Sequence, residues 1–214
     1  MNITLIDYGT GNIKSIQNAF KESGVNLKLS REKEVIYGSE GIILPGVGAF
    51  AHGMKNLIKY DLIDVIKETV EKGKPLLGIC LGMQLMFEES EEFGITKGLG
   101  LFKGRVIKVP IKQSKKVKLP HISWNEIKKK KTSWNGTILD NLTNGSDMYF
   151  IHTFVAKPDI EDEVLSETEY AGVKFCSSVK KNNIYGCQFH PEKSSEAGLK
   201  VIKNFVKICK ENKQ

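Results

Sequence analysis

The sequence predicts an α/β fold with an open, mostly parallel central sheet that carries helices on both faces. Short apolar segments alternate with amphipathic helical stretches from residue 1 to about residue 90, which is typical of a parallel sheet. After about residue 95, short β-like segments follow one another with turn residues between them, which predicts an antiparallel β extension in the second half. No linker or repeat divides the chain, so residues 1–214 are expected to form a single domain.

The first half contains the predicted elements of the parallel sheet. Ile3 to Ile6 is a predicted buried strand, and apolar residues at helical spacing follow it until Gly24 supplies a stop. A long apolar stripe then predicts one or two helices that end at Gly73. Further strands are predicted at 25–29, 41–44 and 75–79, and a helix after Cys80 is expected to carry Leu85, Met86 and Phe87.

The second half contains a series of predicted β segments and one helix. The β segments cover residues 104–109, 148–155, 173–179 and 184–189. The final helix presents one apolar stripe, formed by Leu199, Ile202, Phe205, Val206 and Cys209. This stripe predicts that the helix closes the domain.

The composition is that of a packed globular protein. The chain has 214 residues, of which 40% are hydrophobic and 27% charged, and a chain of this length buries about 70% of the surface that its unfolded form exposes. The four cysteines are too far apart in sequence for a zinc or dithiol motif, so we expect no metal and a reducing compartment. No cofactor is expected, and the lack of a recognisable targeting segment predicts the cytoplasm. Neither a signal peptide nor an apolar run of spanning length is present, so no membrane association is expected.

The net charge of +7 raises the question of nucleic-acid binding. Only two of the 32 basic residues are arginines, the type that base and phosphate recognition favours, which leaves 30 lysines. The lysines are scattered apart from the run at 128–131, which is predicted to be a solvated loop or turn and not a binding patch. We therefore expect no nucleic-acid partner.

Three strand ends carry the residues suited to chemistry, because ligands of open parallel sheets bind at the carboxyl ends of the strands. The first is Gly-Ile-Cys-Leu-Gly at 78–82. Glycines on both sides of a cysteine permit the sharp strand-to-helix turn of a nucleophile elbow, and the helix N-terminus favours the thiolate of Cys80. The backbone N–H of Leu81 can then donate to an oxyanion. A buried structural cysteine is the alternative for Cys80.

The second strand end is Gln-Phe-His-Pro-Glu at 188–192. Residues two positions apart in extended chain point the same way, so His190 and Glu192 are predicted to hydrogen-bond across the rigid Pro191. The pair supplies a base and the carboxylate that fixes its tautomer, which nucleophilic acyl transfer by Cys80 requires. On its own, His190 would more often be an ordinary surface or core histidine.

The third strand end is Pro-Gly-Val-Gly at 45–48, whose glycines let backbone N–H groups approach a substrate. The stretch 46–51 also fits a dinucleotide-binding fingerprint, with Asp64 at a tolerable distance for a ribose. That fingerprint should follow the first strand, where Lys14 occupies the position of the third glycine. We therefore interpret 46–48 as a second oxyanion donor and not as a phosphate cradle.

The three strand ends together resemble the catalytic motifs of the triad (class I) glutamine amidotransferases. Within that family, further segments are similar to the glutaminase subunits of the histidine-biosynthesis branch: Asp7-Tyr8-Gly9-x-Gly11-Asn12, Gly48-Ala49-Phe50, Trp124-Asn125 and Tyr149-Phe150-Ile151-His152. These segments span almost the whole chain. The resemblance implies a flavodoxin-like α/β fold and a glutaminase activity.

The resemblance also implies a role for each site residue. Cys80 attacks the side-chain amide of glutamine, His190 shuttles the proton, and Glu192 orients His190. The oxyanion is held by the backbone N–H groups of Leu81, Gly46, Val47 and Gly48. By similarity, the glutamine is held by Gln84, Glu92, Thr153 and Phe154.

The implied partner is a separate (β/α)8-barrel cyclase, which would use the ammonia to form imidazole glycerol phosphate and an aminoimidazole carboxamide ribonucleotide in histidine biosynthesis. The chain is too short to contain such a barrel, which needs about 250 residues. By similarity, the heterodimer interface is formed by Asn12, Trp124, Asn125, Tyr149 and Lys193. For Trp124, burial in the core is the alternative.

Two positions depart from the pattern of the histidine branch. Ser123 stands where that branch commonly has glycine, and Phe154 stands where tyrosine is usual. A related set of glutaminases supplies ammonia for amidino or amino sugars in surface-polysaccharide biosynthesis, and this pathway is the alternative. An inactive scaffold subunit is a further alternative. Such a subunit would be expected to lack one of the three residues Cys80, His190 and Glu192, and all three are present.

Overall fold

The computed structural model describes residues 1–111, 117–131 and 133–212. Within these ranges the helices are α1 Ile13–Glu22, α2 Lys33–Tyr37, α3 Phe50–Lys59, α4 Leu62–Glu71, α5 Leu81–Leu85 and α6 Ser195–Glu211. The strands are β1 Ile3–Ile6, β2 Lys28–Ser30, β3 Gly41–Leu44, β4 Leu76–Ile79, β5 Phe87–Ser90, β6 Thr96–Lys97, β7 Phe102–Lys108, β8 His121–Lys129, β9 Ser146–His152, β10 Phe154–Pro158, β11 Val164–Tyr170, β12 Val173–Lys181 and β13 Ile184–Cys187. None of the helices in these ranges has the length and apolar character needed to cross a membrane.

The larger sheet combines a parallel and an antiparallel part. In the described part of the chain its order is β2-β1-β3-β4-β13-β12-β11-β8-β9. Neighbouring strands are parallel from β2 to β13 and antiparallel from β13 to β9. The predicted parallel core and antiparallel extension are therefore confirmed.

Helices cover both faces of this sheet. Ile3 and Leu5 of β1 belong to a buried cluster that includes Phe20 of α1 and Phe205 of α6. Ile6 of the same strand belongs to a second buried cluster, with Ile36, Leu57 and Ile66 from α2, α3 and α4. Because successive side chains of a strand point to opposite faces, α1 and α6 lie on one face and α2 to α4 on the other. The predicted two-sided cover is confirmed.

The smaller sheet, β10-β7-β5-β6 in the described residues, contains a segment that the sequence predicts to be helical. Helix α5 ends at Leu85, and Phe87 begins β5, so the predicted continuation of the helix to Phe87 is wrong. The N–H groups of Leu99 and Leu101 donate to the carbonyls of Leu85 and Met86, at 2.8 Å each. These carbonyls thus find their partners in a later segment, which the local helical spacing could not reveal.

The predicted β segment at 148–155 proves to be two strands. The break falls at Thr153, because β9 pairs with β8 of the larger sheet, whereas β10 pairs with β7 of the smaller one. The strand predicted at 25–29 is also displaced. It forms at Lys28–Ser30 as the edge strand β2. Val25 lies outside the strand and packs in the buried cluster that contains Phe20 of α1.

Three lysines of the run at 128–131 are paired with acidic residues of this chain. Lys128 and Lys129 end β8, so their predicted location in a loop or turn is wrong. The ammonium group of Lys130 lies 2.9 Å from a Glu167 carboxylate oxygen, and that of Lys131 lies 2.8 Å from Glu161. Because carboxylates of the same chain offset these charges, the run is poorly suited to bind a polyanion such as a nucleic acid.

Candidate active site

The three strand ends that carry the candidate residues are neighbours in the larger sheet. Strands β3, β4 and β13 are adjacent and parallel, so their carboxyl ends meet at one edge. Val47 and Gly48 follow β3, Cys80 follows β4, and His190 follows β13. All four residues line one cavity of about 260 Å³, which is at the small end of ligand cavities in proteins.

Cys80 occupies a strained turn between β4 and α5. Its φ of 54° and ψ of −109° lie in a region that residues with a side chain rarely adopt. The glycines on either side leave the room that the turn needs. A Cβ on Gly82 would lie 1.8 Å from the carbonyl oxygen of Leu44, and one on Gly78 would lie 2.8 Å from the backbone nitrogen of Met83. The turn therefore has the geometry of a nucleophile elbow.

His190 and Glu192 form a buried hydrogen-bonded pair. Nδ1 of His190 lies 2.8 Å from Oε1 of Glu192, and the two side chains are only 3% and 1% exposed. Burial lowers the pKa of His190, but the charge and hydrogen bonding of Cys80 and then of Glu192 outweigh it, so the pKa is raised. The other ring nitrogen, Nε2, is buried, and Cys80 is the group with which it can exchange a proton.

The sequence predicts extended chain between the two residues, and this prediction is wrong. The structure has a 3-10 turn at Pro191–Lys193. The His190 carbonyl accepts the N–H of Lys193 at 3.0 Å and the hydroxyl of Ser194 at 2.6 Å. These bonds fold the chain back on His190, and the proline at the first position of the turn already has the required φ. The predicted hydrogen bond forms nonetheless, because the turn keeps the two side chains together.

The segment after β3 packs directly against the nucleophile turn. The hydroxyl of Tyr8 donates to the carbonyl of Pro45 at 2.5 Å. A Cβ on Gly46 would lie 2.6 Å from the Tyr8 hydroxyl oxygen and 2.9 Å from Cβ of Leu81. Glycine at this position therefore allows the predicted oxyanion segment to approach Leu81, the other predicted oxyanion donor.

Thr10 holds the peptide of Val47 in one orientation. The Thr10 hydroxyl donates to the Val47 carbonyl at 2.6 Å and accepts the Val47 N–H at 3.3 Å. Gly48, the next residue, has a φ of +101°. In this conformation the Val47 N–H is bonded to Thr10, so it has to leave the hydroxyl before it can donate to an oxyanion in the cavity.

Removal of the Thr10 hydroxyl is therefore expected to raise the rate, for the chain alone, of the glutamine hydrolysis that the family resemblance implies. In Thr10→Val the Val47 N–H loses its competing acceptor, and a hydrogen bond of ordinary net strength corresponds to about a two- to tenfold change. The measurement is the turnover of glutamine to glutamate without any partner. Thr10→Ser, which keeps the hydroxyl, is the matched control and should retain the native rate. An unchanged or lower rate in Thr10→Val would contradict this expectation.

The predicted glutamine-binding residues Gln84, Glu92, Thr153 and Phe154 all line the same cavity. The side-chain amide of Gln84 donates to the Phe154 carbonyl and to Oε1 of Gln188, at 2.9 Å each, which leaves its own oxygen as an acceptor. Oε2 of Glu92 accepts the backbone N–H of Phe50 at 2.7 Å. Carboxylate and amide oxygens at the cavity suit a ligand that carries an ammonium group.

Three of the five predicted interface residues lie together. Trp124 is 48% exposed, so its alternative placement in the core is wrong. Its ring centroid is 6.0 Å from that of Tyr149, and Nζ of Lys193 lies 5.6 Å from the Tyr149 centroid. Asn125 is on the opposite face of β8, where its Oδ1 lies 2.8 Å from Nε2 of His121. Asn12 lies half-buried at the start of α1.

The sequence interpretation assigns no role to two residues of the site. Gln188 is fully buried, and its side-chain nitrogen lies 3.6 Å from Sγ of Cys80. His152 lines the cavity, and burial followed by the nearby His121 lowers its pKa to about 3, so it is neutral. Gln188 occupies the same strand end as His190 at a spacing of two residues, and that spacing is the signal that could have identified it.

The fold and the site have the arrangement of an acyl-transfer enzyme: a cysteine at a strained strand-to-helix turn, a histidine on the same cavity and a buried glutamate bonded to that histidine. The chain matches the family described as "Glutamine amidotransferase class-I" over residues 4–209. It is 43% identical over 211 residues to "Imidazole glycerol phosphate synthase subunit HisH 1" of Legionella pneumophila (strain Lens), covering 97% of this chain and 99% of that protein. It is 45% identical over 206 residues to the HisH subunit of Aquifex aeolicus (strain VF5), covering 96% of each. The chain therefore belongs to the class-I glutamine amidotransferases and, within them, to the HisH subunits of imidazole glycerol phosphate synthase.

Solved structures support the fold. A "glutamine amidotransferase" superposes with a TM-score of 0.72 at 20% identity, covering 97% of this chain and 98% of that one. The glutaminase domain of Trypanosoma brucei CTPS with bound acivicin superposes with a TM-score of 0.69 at 17% identity, covering 99% of this chain and 94% of that one. The α/β fold class inferred from the sequence is thus confirmed, and the match to the family model confirms the family resemblance.

Proposed function

We propose that this chain hydrolyses glutamine to glutamate and delivers the ammonia to a cyclase subunit, which forms imidazole glycerol phosphate in histidine biosynthesis. The observation that carries the proposal is that Cys80 and His190 line the same cavity, with Glu192 buried behind His190. The same cavity presents the acceptor groups of Gln84 and Glu92 to a ligand. Relatives that match the chain from end to end are named as subunits of the synthase.

The geometry supports a two-step hydrolysis. The thiol proton of Cys80 passes to Nε2 of His190, and the sulfur forms a bond to the amide carbon of glutamine. The carbonyl oxygen becomes an oxyanion held by the N–H groups of Leu81 and segment 46–48. His190 returns the proton to the departing nitrogen, so ammonia leaves and a thioester remains. Water then attacks the thioester with His190 as base, the carbon–sulfur bond breaks, glutamate leaves, and the proton returns from His190 to the Cys80 sulfur. Glu192 keeps the ring oriented throughout.

The exposed face of β8 and β9 supports a partner subunit. Ile122 pairs with Ile151 and Trp124 with Tyr149 across the two strands. Ile122, Trp124 and Ile151 are among the exposed large hydrophobic residues, and clustered exposed apolar side chains are typical of a protein interface. Ile151 also lines the cavity, and its carbonyl oxygen lies 3.9 Å from Sγ of Cys80. A partner on this face would therefore lie beside the site that releases ammonia.

The two departures from the histidine-branch pattern leave this face unchanged. The hydroxyl of Ser123 points inward, 2.9 Å from Nε2 of His121. Phe154 packs with its side chain against a buried cluster, whereas its backbone carbonyl holds Gln84. Neither side chain alters the exposed surface of β8 or the backbone contact in the glutamine pocket. The similar relatives, which are named as subunits of imidazole glycerol phosphate synthase, are what favours the histidine pathway over the surface-polysaccharide alternative.

The test is glutamate release by the chain alone and with a histidine-pathway cyclase subunit plus its nucleotide ligand, with Cys80→Ala as the blank. We expect release that depends on Cys80 and rises strongly only when both cyclase and ligand are present. Cys80-dependent release that ignores this cyclase would contradict the pathway and favour the sugar alternative. No release under any condition would favour an inactive scaffold.

Truncation of Trp124 is expected to weaken the complex and spare the chemistry. A central aromatic residue of an interface contributes about 2 kcal/mol, which corresponds to about a 30-fold increase in Kd for Trp124→Ala. Release by the chain alone should stay at the native rate, because Trp124 does not line the cavity. Titration calorimetry with the cyclase gives the Kd. Ile58→Ala, at another exposed apolar residue on α3, is the control and should bind normally.

We place this reaction in the cytoplasm. All four cysteines are buried free thiols. Reducing conditions maintain thiols, and a thiolate nucleophile such as Cys80 is inactivated when it is oxidised. The compartment thus fits the proposed chemistry.

A further inference from the structure

Gln188 contacts the nucleophile from a position outside the substrate cavity. Its side-chain nitrogen lies 3.6 Å from Sγ of Cys80, within the range of a hydrogen bond to sulfur. The side chain is fully buried, and it is absent from the described residues that line the cavity. Gln188 therefore contacts the Cys80 sulfur and does not line the cavity.

The orientation of the Gln188 amide is fixed by its neighbours. The side-chain nitrogen of Gln84 lies 2.9 Å from the backbone carbonyl of Phe154, an atom that can only accept. The end of Gln84 that faces this carbonyl must therefore be its NH2 group. The second proton of that group is donated to the Gln188 oxygen, also at 2.9 Å. It follows that the NH2 end of Gln188 faces Cys80, since a flipped amide would set two donors against each other.

We propose that Gln188 is a catalytic residue that donates a hydrogen bond to the Cys80 sulfur and stabilises its thiolate form. As a thiol, Cys80 can donate to the Ile151 carbonyl at 3.9 Å, but the thiolate has no proton to give and only accepts. When the proton moves to Nε2 of His190, the Gln188 N–H becomes a charge-assisted donor to the new anion. The donor acts on the sulfur before glutamine binds and throughout the attack.

The inference rests on the proposed glutaminase function of the same site, but its test does not need glutamine or a partner. The rate of Cys80 alkylation by iodoacetamide is measured as a function of pH, with Cys80→Ala subtracted as the blank for the three other thiols. Gln188→Met keeps the length of the side chain and removes the donor. Gln188→Glu keeps its shape, retains the oxygen that accepts from Gln84, and replaces the donor with a carboxyl.

In Gln188→Met we expect the midpoint of the alkylation profile to rise by about one pH unit, the size of a hydrogen bond to a charged group. In Gln188→Glu the rise should be larger, because an ionised carboxylate repels the thiolate. In glutamine hydrolysis both variants should lose about tenfold or more in kcat at neutral pH. In Gln188→Glu the KM for glutamine should stay within about twofold, because Gln188 does not line the cavity and this variant keeps the oxygen that holds Gln84.

Ser178→Ala is the matched control. Ser178 is as deeply buried as Gln188 and lies on β12, beside β13, where its hydroxyl bonds to Ser166 at 2.6 Å and not to Cys80. This variant should leave the alkylation midpoint unchanged. Should Gln188→Met not fold, as judged by its thermal melt, Gln188→Glu carries the same test. A native midpoint in either folded variant overturns the role of Gln188, whereas a shifted midpoint without any glutamine turnover in the native chain would overturn only the glutaminase function.

Discussion

Replacement of Cys80 with alanine is expected to lower glutamate release by at least about a thousandfold, because the thioester can no longer form. The partner should still bind, since the side chain points into the cavity and not to the face of β8 and β9. The measurement combines glutamate release with the Kd for the cyclase subunit. Substantial release in Cys80→Ala would show that another residue is the nucleophile.

The same position provides a second measurement, of strain at the elbow. Alanine keeps the Cβ that makes a φ of 54° unfavourable at Cys80, whereas glycine does not. Such backbone strain costs about 1–3 kcal/mol, which glycine would relieve. Glycine also makes the unfolded chain more flexible, and this lowers the stability of the folded protein by about 0.5–1 kcal/mol. We therefore expect Cys80→Gly to be about 1 kcal/mol more stable than Cys80→Ala in urea denaturation, with both variants inactive. Equal stability of the two would mean that the elbow stores no strain.

The parts of the site that could be predicted from the sequence are those set by residues close together in the chain. The Cys80 turn depends on glycines two positions away on either side, and His190 and Glu192 are also two positions apart. The rule that ligands bind at the carboxyl ends of parallel strands then brings these short segments together. Local spacing and one rule of topology therefore suffice to bring together Cys80, His190 and Glu192, the proposed catalytic side chains.

The contacts that could not be predicted join residues far apart in the chain. Thr10 meets Val47 across 37 positions, because β1 and β3 are neighbours in the sheet. Gln188 meets Cys80 across 108 positions, because β13 lies beside β4. The general rule brings strand ends to one edge, but it does not give the order of the strands, and each of these contacts depends on that order.

The same cause explains the errors in secondary structure. Helix α5 stops at Leu85 because a segment some fourteen residues later takes its carbonyls, and the β segment at 148–155 divides at Thr153 because its two parts join different sheets. Local propensity is a weak prior that such tertiary pairing overrides.

Among substitutions that add one methyl group at the active site, Gly82→Ala is expected to reduce the stability of the fold most. The new Cβ would lie 1.8 Å from the carbonyl oxygen of Leu44 and 3.2 Å from that of Pro45. Both atoms are backbone at the end of β3, so no side chain can turn away to make room. Overpacking usually lowers the free energy of unfolding by about 1–3 kcal/mol. Because backbone atoms cannot turn away as a side chain can, we expect Gly82→Ala to lower it by about 3 kcal/mol or more.

The damage should reach the chemistry as well as the fold. Relief of the collision requires the end of β3 to move away from the elbow, and that movement takes the oxyanion segment 46–48 with it. Any folded Gly82→Ala should therefore have lost most of its glutamine turnover while Cys80 still reacts with iodoacetamide. Gly73→Ala is the control, because its Cβ meets no atom within 4 Å and only its φ of +80° is unfavourable, at about 1 kcal/mol. Near-native stability and turnover in Gly82→Ala would show that the elbow and the oxyanion segment are not in the close contact on which the proposed mechanism depends.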